Sequence, residues 1–220
     1  RKGVRFKFFS EIHKEFQMSP QNLIDGIDFN LPSFDNSYFG VLGFDFRYYQ
    51  PIHKEIIWAN RLAVGTSYGT SKLVYYLGGV ESWLIPSPDF DRETEVSLDQ
   101  NYAFQTLVTN MRGFAQNVRN GNSYFVVNSE IRVPVFSYLI NTPIRSEFIR
   151  NFQIIGFTDI GSAWEGINPY EDQNQVFTST IGENSPVVTV DYFKNPFDFG
   201  YGFGLRTSLF GYFIRADLAW

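Results

Sequence analysis

Residues 4–16 read VRFKFFSEIHKEF, and splitting them by parity separates two unlike sides. Even positions give Val4, Phe6, Phe8, Ser10, Ile12, Lys14 and Phe16; odd positions give Arg5, Lys7, Phe9, Glu11, His13 and Glu15. Successive side chains of a strand point to opposite faces, so a period of two predicts a strand with one apolar and one charged face. Six further runs repeat the pattern. Residues 38–49 set Tyr38, Gly40, Leu42, Phe44, Phe46 and Tyr48 against Asp45 and Arg47, and 56–68 set Ile56, Trp58, Leu62, Val64 and Tyr68 against Ala59, Arg61, Ala63, Gly65 and Ser67. Residues 123–135 oppose Phe125, Val127, Ile131, Val133 and Val135 to Asn128, Glu130 and Arg132. In 152–164 the rows are Phe152, Ile154, Ile160 and Trp164 against Gln153, Asp159 and Gly161. In 198–208 they are Phe199, Tyr201, Phe203 and Leu205 against Asp198, Gly200, Gly202, Gly204 and Arg206. The last run, 212–220, sets Tyr212, Ile214, Ala216, Leu218 and Trp220 against Arg215 and Asp217. Lys14 is the single charge on the seven apolar rows.

A soluble β-sandwich or lipocalin-like barrel also alternates, with its apolar face turned inward. Two features favour a membrane instead. The runs are about 9–13 residues, the length of a tilted membrane-spanning strand rather than the usual five or six. The polar rows are rich in glycine, alanine and serine as well as charge, which suits a lumen crowded by its own loops. Tyr38, Trp58, Tyr68, Trp164, Tyr212 and Trp220 near run ends suit interfacial girdles. The fold expected is all-β: a partial antiparallel transmembrane β-barrel over 1–220 with no internal domain boundary. The connectors then give an orientation. About 20 residues, a short QPIHKE, the long segment 70–122, a moderate 136–150, the long 165–197 and LFG alternate long and short, as extracellular loops and periplasmic turns do. A bacterial barrel needs an even number of strands, and an open edge in lipid leaves unpaired backbone groups. Strands are therefore expected before Arg1 and after Trp220.

Composition narrows function. The 220 residues carry a net charge of −5 with no basic stripe, so nucleic acid is not an expected partner. There is no cysteine, hence no disulfide, thiolate metal site or cysteine nucleophile. Aromatics make up 19% of the chain, yet no apolar run approaches the roughly 18 residues of a membrane helix. His13 and His53 are far apart, with no paired carboxylate pattern, and read as strand or turn residues. GYGFG at 200–204 lies inside an alternating run with no helix after it, so it reads as small lumen-facing residues rather than a phosphate loop. The acidic stretch PSPDFDRETEVSLD lacks the glycine-punctuated spacing of a calcium loop and reads as a solvated extracellular segment. No nucleophile elbow is present. Neither an active site, a metal site nor a cofactor is expected.

The segment 70–122 contains NMRGFAQNVRNG at 110–121. A loop of about fifty residues is usually functional or disordered. If it folds into the lumen, the Arg112 guanidinium needs acceptors, because burying it unpaired costs several kcal/mol. Glu130 and Asp159 fall on the polar register of adjacent runs, and Phe157 and Gly161 share that face. Gly113 permits a tight turn at the loop tip, and Phe114 is placed to pack on Phe157 or stack on the guanidinium.

The set Arg112-Gly113-Phe114, Glu130, and Phe157/Asp159/Gly161 resembles the BamA/TamA-type outer-membrane insertases of the bacterial surface-antigen superfamily. Tyr76-Leu77-Gly78-Gly79, the run Gly200 to Arg206, and Ile214-Arg215-Ala216-Asp217 look like that family's C-terminal half. Met111 stands where the family more often has valine. The resemblance covers nearly all of the chain and implies seven consecutive strands of a sixteen-stranded barrel in the bacterial outer membrane. It also implies a lumen-entering loop whose arginine docks against the carboxylate-bearing strands, with Arg112 in that role and Glu130 and Asp159 as acceptors. The function implied is protein assembly, insertion or translocation by β-augmentation at a barrel seam outside this chain. Its partners would be outer-membrane lipid, unfolded outer-membrane clients and periplasmic or lipoprotein accessory subunits. A passive pore, or a barrel anchor for a fused upstream domain, is the alternative.

Overall fold

The computed structural model describes residues 2–14, 37–79, 94, 96, 101–108, 110–171, 174, 176–181, 188–193 and 195–220, with backbone only for 176–181 and 188–193. Phe16 and all of 86–99 except Thr94 and Val96, the stretch weighed above for calcium, lie outside the described residues.

Each of the seven alternating runs forms a strand. They are β1 (Gly3–Lys14), β2 (Tyr38–His53), β3 (Ile56–Gly69), β7 (Ser123–Val133), β8 (Gln153–Trp164), β11 (Asp198–Leu209) and β12 (Tyr212–Ala219). Between them lie β4 (Lys72–Leu77), β5 (Tyr102–Leu107), β6 (Arg119–Gly121), β9 (Val176–Ile181), β10 (Val188–Phe193), and the short helices α1 (Val135–Leu139) and α2 (Glu147–Arg150). The seven long strands make one antiparallel sheet in the order β1-β2-β3-β7-β8-β11-β12. This is the wall of a β-barrel, meandering without crossover once the loop strands are set aside.

Register decides which side each row faces. Asp45 pairs with Ala63, Asn128 with Asp159, Gly200 with Asp159, and Asp217 with Gly204, so the polar rows of neighbouring strands share one face. The opposite face carries the apolar rows, and they are bare. Phe6 is 73% exposed, Phe203 63% and Ile131 46%, while on the polar face Asp159 is 0% exposed. A protein in water does the reverse, so the solvent of the apolar face is hydrocarbon. Tyr38, Trp58, Tyr68, Tyr212 and Trp220 stand exposed near strand ends, as an interfacial girdle requires. Trp164 is the exception: it is half-buried, and its indole N–H is enclosed without a partner.

The polar face is covered by the chain's own long segment. Strand β4 pairs in parallel with β5 and antiparallel with β6, forming a three-stranded sheet inside the connector between β3 and β7. Asn122 ties it to the wall. Its side-chain NH₂ donates to the Ser67 carbonyl at 2.7 Å, and its side-chain oxygen accepts from the Gly166 N–H at 2.8 Å. Tyr102 donates its hydroxyl to Glu165 at the end of β8.

If the apolar face meets acyl chains, Phe203→Arg destabilises the folded protein in lipid vesicles by roughly 2–4 kcal/mol, the penalty of a lipid-facing arginine near the midplane. Urea unfolding of the lipid-reconstituted protein measures it. A change near zero would mean that Phe203 faces water.

Candidate functional site

The chain after β4 lies against the wall at 110–115. Gly78 and Gly79 make it possible. A Cβ on Gly78 would sit 2.0 Å from the Ala115 carbonyl oxygen, and one on Gly79 would sit 2.1 Å from that of Phe114. With no side chains there, the two backbone stretches bond directly: Met111 N–H donates to the Gly78 carbonyl at 2.8 Å, and Gly79 N–H to the Ala115 carbonyl at 2.9 Å. Met111 is fully buried in a cluster with Leu77, Val126 and Ala163, against which Val108, Phe114 and Tyr124 pack. Gly161 opens the hole that receives it, because a Cβ there would lie 2.5 Å from the methionine sulfur. The tip turns at Gly113, whose φ of 91° is one that L side chains rarely adopt.

This geometry delivers Arg112 to β7 and β8. Its side chain is 6% exposed. Nε and Nη2 donate to the two oxygens of Asp159, at 2.7 Å each, a bidentate fork. Nη1 donates to Glu130 Oε1 at 2.6 Å, and the backbone N–H of Arg112 also reaches Asp159 at 3.1 Å. The guanidinium carbon lies 3.6 Å from the centroid of the Phe157 ring, within cation–π range. Burial by itself would lower the Arg112 pKa; the bonds to Asp159 and then the charge of Glu130 outweigh it and raise it, so the cation is permanent. Asn128 donates a further hydrogen bond to Asp159 at 2.8 Å.

Of the seven residues singled out in the sequence, Arg112, Glu130, Phe157 and Asp159 meet directly, Gly161 lies under Met111, Gly113 lies against Ala219 and Trp220, and the aromatics differ in role. Phe157, not Phe114, stacks on the guanidinium; Phe114 turns toward the apolar cluster and lies over Gly200. A Cβ on Gly200 would come within 2.7 Å of the Arg112 carbonyl oxygen and 2.8 Å of the Phe114 ring. Gly202, opposite Phe157 in register, leaves room for that ring in the same way. Of the alternate glycines of 200–204, Gly200 is the one on which the loop tip lies, while Gly202 and Gly204 make room for wall residues.

Two features escaped the sequence reading. Arg119, 4% exposed, donates from Nε to Asp198 at 2.7 Å, a second buried ion pair between the loop and the wall. Glu130 also serves Arg132 (2.8 Å) and Arg206 (3.0 Å) besides Arg112. Asp198 and Arg206 were visible on the polar row of β11; nothing local indicated their partners.

Replacing one member of a buried ion pair leaves the other charge uncompensated, at about 3–5 kcal/mol. Asp198→Asn is accordingly expected to speed amide hydrogen exchange across 117–122 at least tenfold while β7 and β8 keep their protection. Unchanged exchange in that stretch would show that the Arg119 pair does not hold the loop.

The chain matches the Omp85 superfamily domain over residues 26–220. No curated protein matches it. Omp85 superfamily proteins reside in the outer membranes of bacteria and organelles, where they act in protein insertion and translocation. With nearly its whole length matched, a seven-stranded antiparallel wall and an outward apolar face, the chain belongs to the Omp85 superfamily.

Proposed function

We propose that this chain forms the barrel wall, the plugging loop and the loop lock of a BamA/TamA-type outer-membrane insertase. On this reading 1–220 is one barrel-wall unit, and 70–122 is a segment held in the lumen. Arg112 is the lock, with Asp159 and Glu130 as its two acceptors, Phe157 as the ring beneath it, and Gly113, Phe114 and Gly161 shaping its seat. The observation that carries the reading is the bidentate contact of a buried loop arginine with a fully buried carboxylate on the wall.

The chemistry requires no covalent step. An unpaired strand edge at a barrel seam offers a row of N–H and C=O groups, and an unfolded client adds to it as a new strand by β-augmentation. Such a seam can open safely only if the remainder of the barrel keeps its shape. A loop tied to β7, β8 and β11 from inside serves that need, because it braces three adjacent strands through side chains rather than through the ladder. Clients are unfolded outer-membrane proteins, the surrounding solvent is outer-membrane lipid, and periplasmic or lipoprotein subunits are the accessory partners this family type calls for.

Arg112→Ala removes the fork and leaves Asp159 buried without its cation. The variant is expected to insert into membranes while failing to support client assembly, and Arg112→Lys is expected to restore only part of the activity, since an ammonium lacks the planar fork that meets both oxygens of Asp159 while lying over the Phe157 ring. Complementation of a depletion strain by the Arg112→Ala protein at the native level would overturn the lock. Single-channel recordings separate the proposal from a passive pore: large, steady conductance unaffected by deleting 84–121 would favour the pore.

A further inference from the structure

The connector from β7 to β8 folds back over the outside of the wall, and Thr207 shows it. Thr207 stands on the apolar row of β11, opposite Ile214 in register, yet it is 6% exposed where Ile214 is 43% exposed. Helix α2 lies against it: the Thr207 hydroxyl donates to the Phe148 carbonyl at 2.7 Å. Phe152, just before β8, joins the two helices of the connector, with ring centroids 5.5 Å from Phe136 and 6.2 Å from Phe148. The Ser137 hydroxyl closes the unit by donating to the Arg150 carbonyl at 3.0 Å. Packed in this way, 134–152 still leaves large apolar side chains bare. Leu139 and Ile140 at the end of α1, and Phe148 and Ile149 of α2, are all exposed. Arg145 and Arg150 are exposed beside them, and neither makes an ion pair with a described residue. Two arginines against one carboxylate, Glu147, leave the stretch net positive.

What this apolar surface meets follows from what it adjoins. Leu205 pairs with Ile154, and both are exposed on the lipid-facing rows. Thr207 is two residues further along β11, and Phe152 two residues back from Ile154, so α2 continues the hydrocarbon-facing surface of β8 and β11 at the short-connector end. Depth is limited by the backbone. An irregular connector has carbonyl and N–H groups outside any ladder, which the hydrocarbon core does not tolerate and the headgroup region does. Arginine suits the same depth, because its stem lies along apolar surface while its guanidinium reaches the phosphates. We propose that 134–152 is an in-plane membrane anchor on the phospholipid leaflet at the short-connector end. Phe148 and Ile149 enter the boundary between headgroups and acyl chains, and Arg145 and Arg150 bind lipid phosphates. The anchor grips β8 and β11 from outside, where the loop tip braces them from inside. It rests on the lipid-facing side of the wall and not on the insertase reading.

The chain has no cysteine, so a nitroxide can be attached at one chosen position at a time. Three single variants of the full chain serve: Ile149→Cys on α2, Phe203→Cys in the middle of the wall, and Ile167→Cys, exposed past the other end of β8. Each is labelled, reconstituted into vesicles of phosphatidylcholine and phosphatidylglycerol, and measured for relaxation by oxygen and by a water-soluble nickel chelate. The label at 149 is expected roughly 5–10 Å below the phosphates, the depth of the apolar side of an in-plane segment. It should fall between an oxygen-rich label at 203 and a nickel-accessible one at 167. Arg145→Gln combined with Arg150→Gln is expected to raise nickel accessibility at 149 about twofold or more, as lost attraction to anionic headgroups lets the segment lift. Nickel accessibility at 149 equal to that at 167 would overturn the anchor and make the patch a face for a protein partner. A depth unmoved by the double arginine variant would overturn the phosphate contact. A nickel-accessible label at 203 would instead overturn the lipid-facing wall on which the anchor rests. Client assembly enters none of these readings.

Discussion

Arg112 carries a permanent charge into a site where its side chain is only 6% exposed, and the surrounding structure can be understood as the set of conditions under which that is tolerable. A lone guanidinium there would cost several kcal/mol. Asp159 meets it with both oxygens, Glu130 meets the remaining nitrogen, and the Phe157 ring covers its face. Those acceptors sit on neighbouring strands in a register that sets Asn128 opposite Asp159 and Glu130 opposite Phe157. A slip of one residue between these strands would turn one of the two carboxylates to the lipid face. The ion pair and the strand register therefore specify each other, and Asn128, bonded to Asp159 across the same pair, adds to that specification.

The solvent outside explains why the wall is built this way. Hydrocarbon accepts Phe6, Ile131 and Phe203 and disfavours charge, so the charged side chains of the wall go to the inner face, with Lys14 at the end of β1 the exception. An inner face of that kind needs either water or protein against it. Over β7, β8 and β11 it has protein: the apolar cluster of Leu77, Met111, Val126 and Ala163 on one side and the arginine contacts on the other. Glycine decides where the two layers touch. Gly161 and Gly200 on the wall mark positions where an added methyl group would collide with the connector, and Gly78 and Gly79 mark those where the connector folds on itself.

Strands were the most legible part of the sequence because their signal is local. Period-two alternation between an apolar and a charged row needs no knowledge of the partner strand, and all seven runs that show it form the sheet. The small sheet of the long connector was not legible. Strands β4 and β5 hold six residues each and pair in parallel across more than twenty intervening residues, leaving neither a turn signature nor a long alternation. At the site, Glu130, Asp159 and Gly161 could be placed on the polar face by counting alone. Met111 seemed a minor substitution in the sequence, yet it is a fully buried plug, because the hole it fills is made by a glycine fifty residues further along. Nor did anything in the sequence show that Arg47, Arg61, Arg132, Arg206 and Arg215, each on a different strand, line one cavity with Arg112 of the connector.

If the buried fork holds the loop, Arg112 and Asp159 are energetically coupled inside a barrel whose apolar face lies in lipid. A double-mutant cycle with Arg112→Ala, Asp159→Ala and the combined variant, followed by urea unfolding of the lipid-reconstituted protein, measures that coupling directly. About 2 kcal/mol or more of coupling is expected for a close, buried charge pair. Strict additivity of the two single changes would contradict the account.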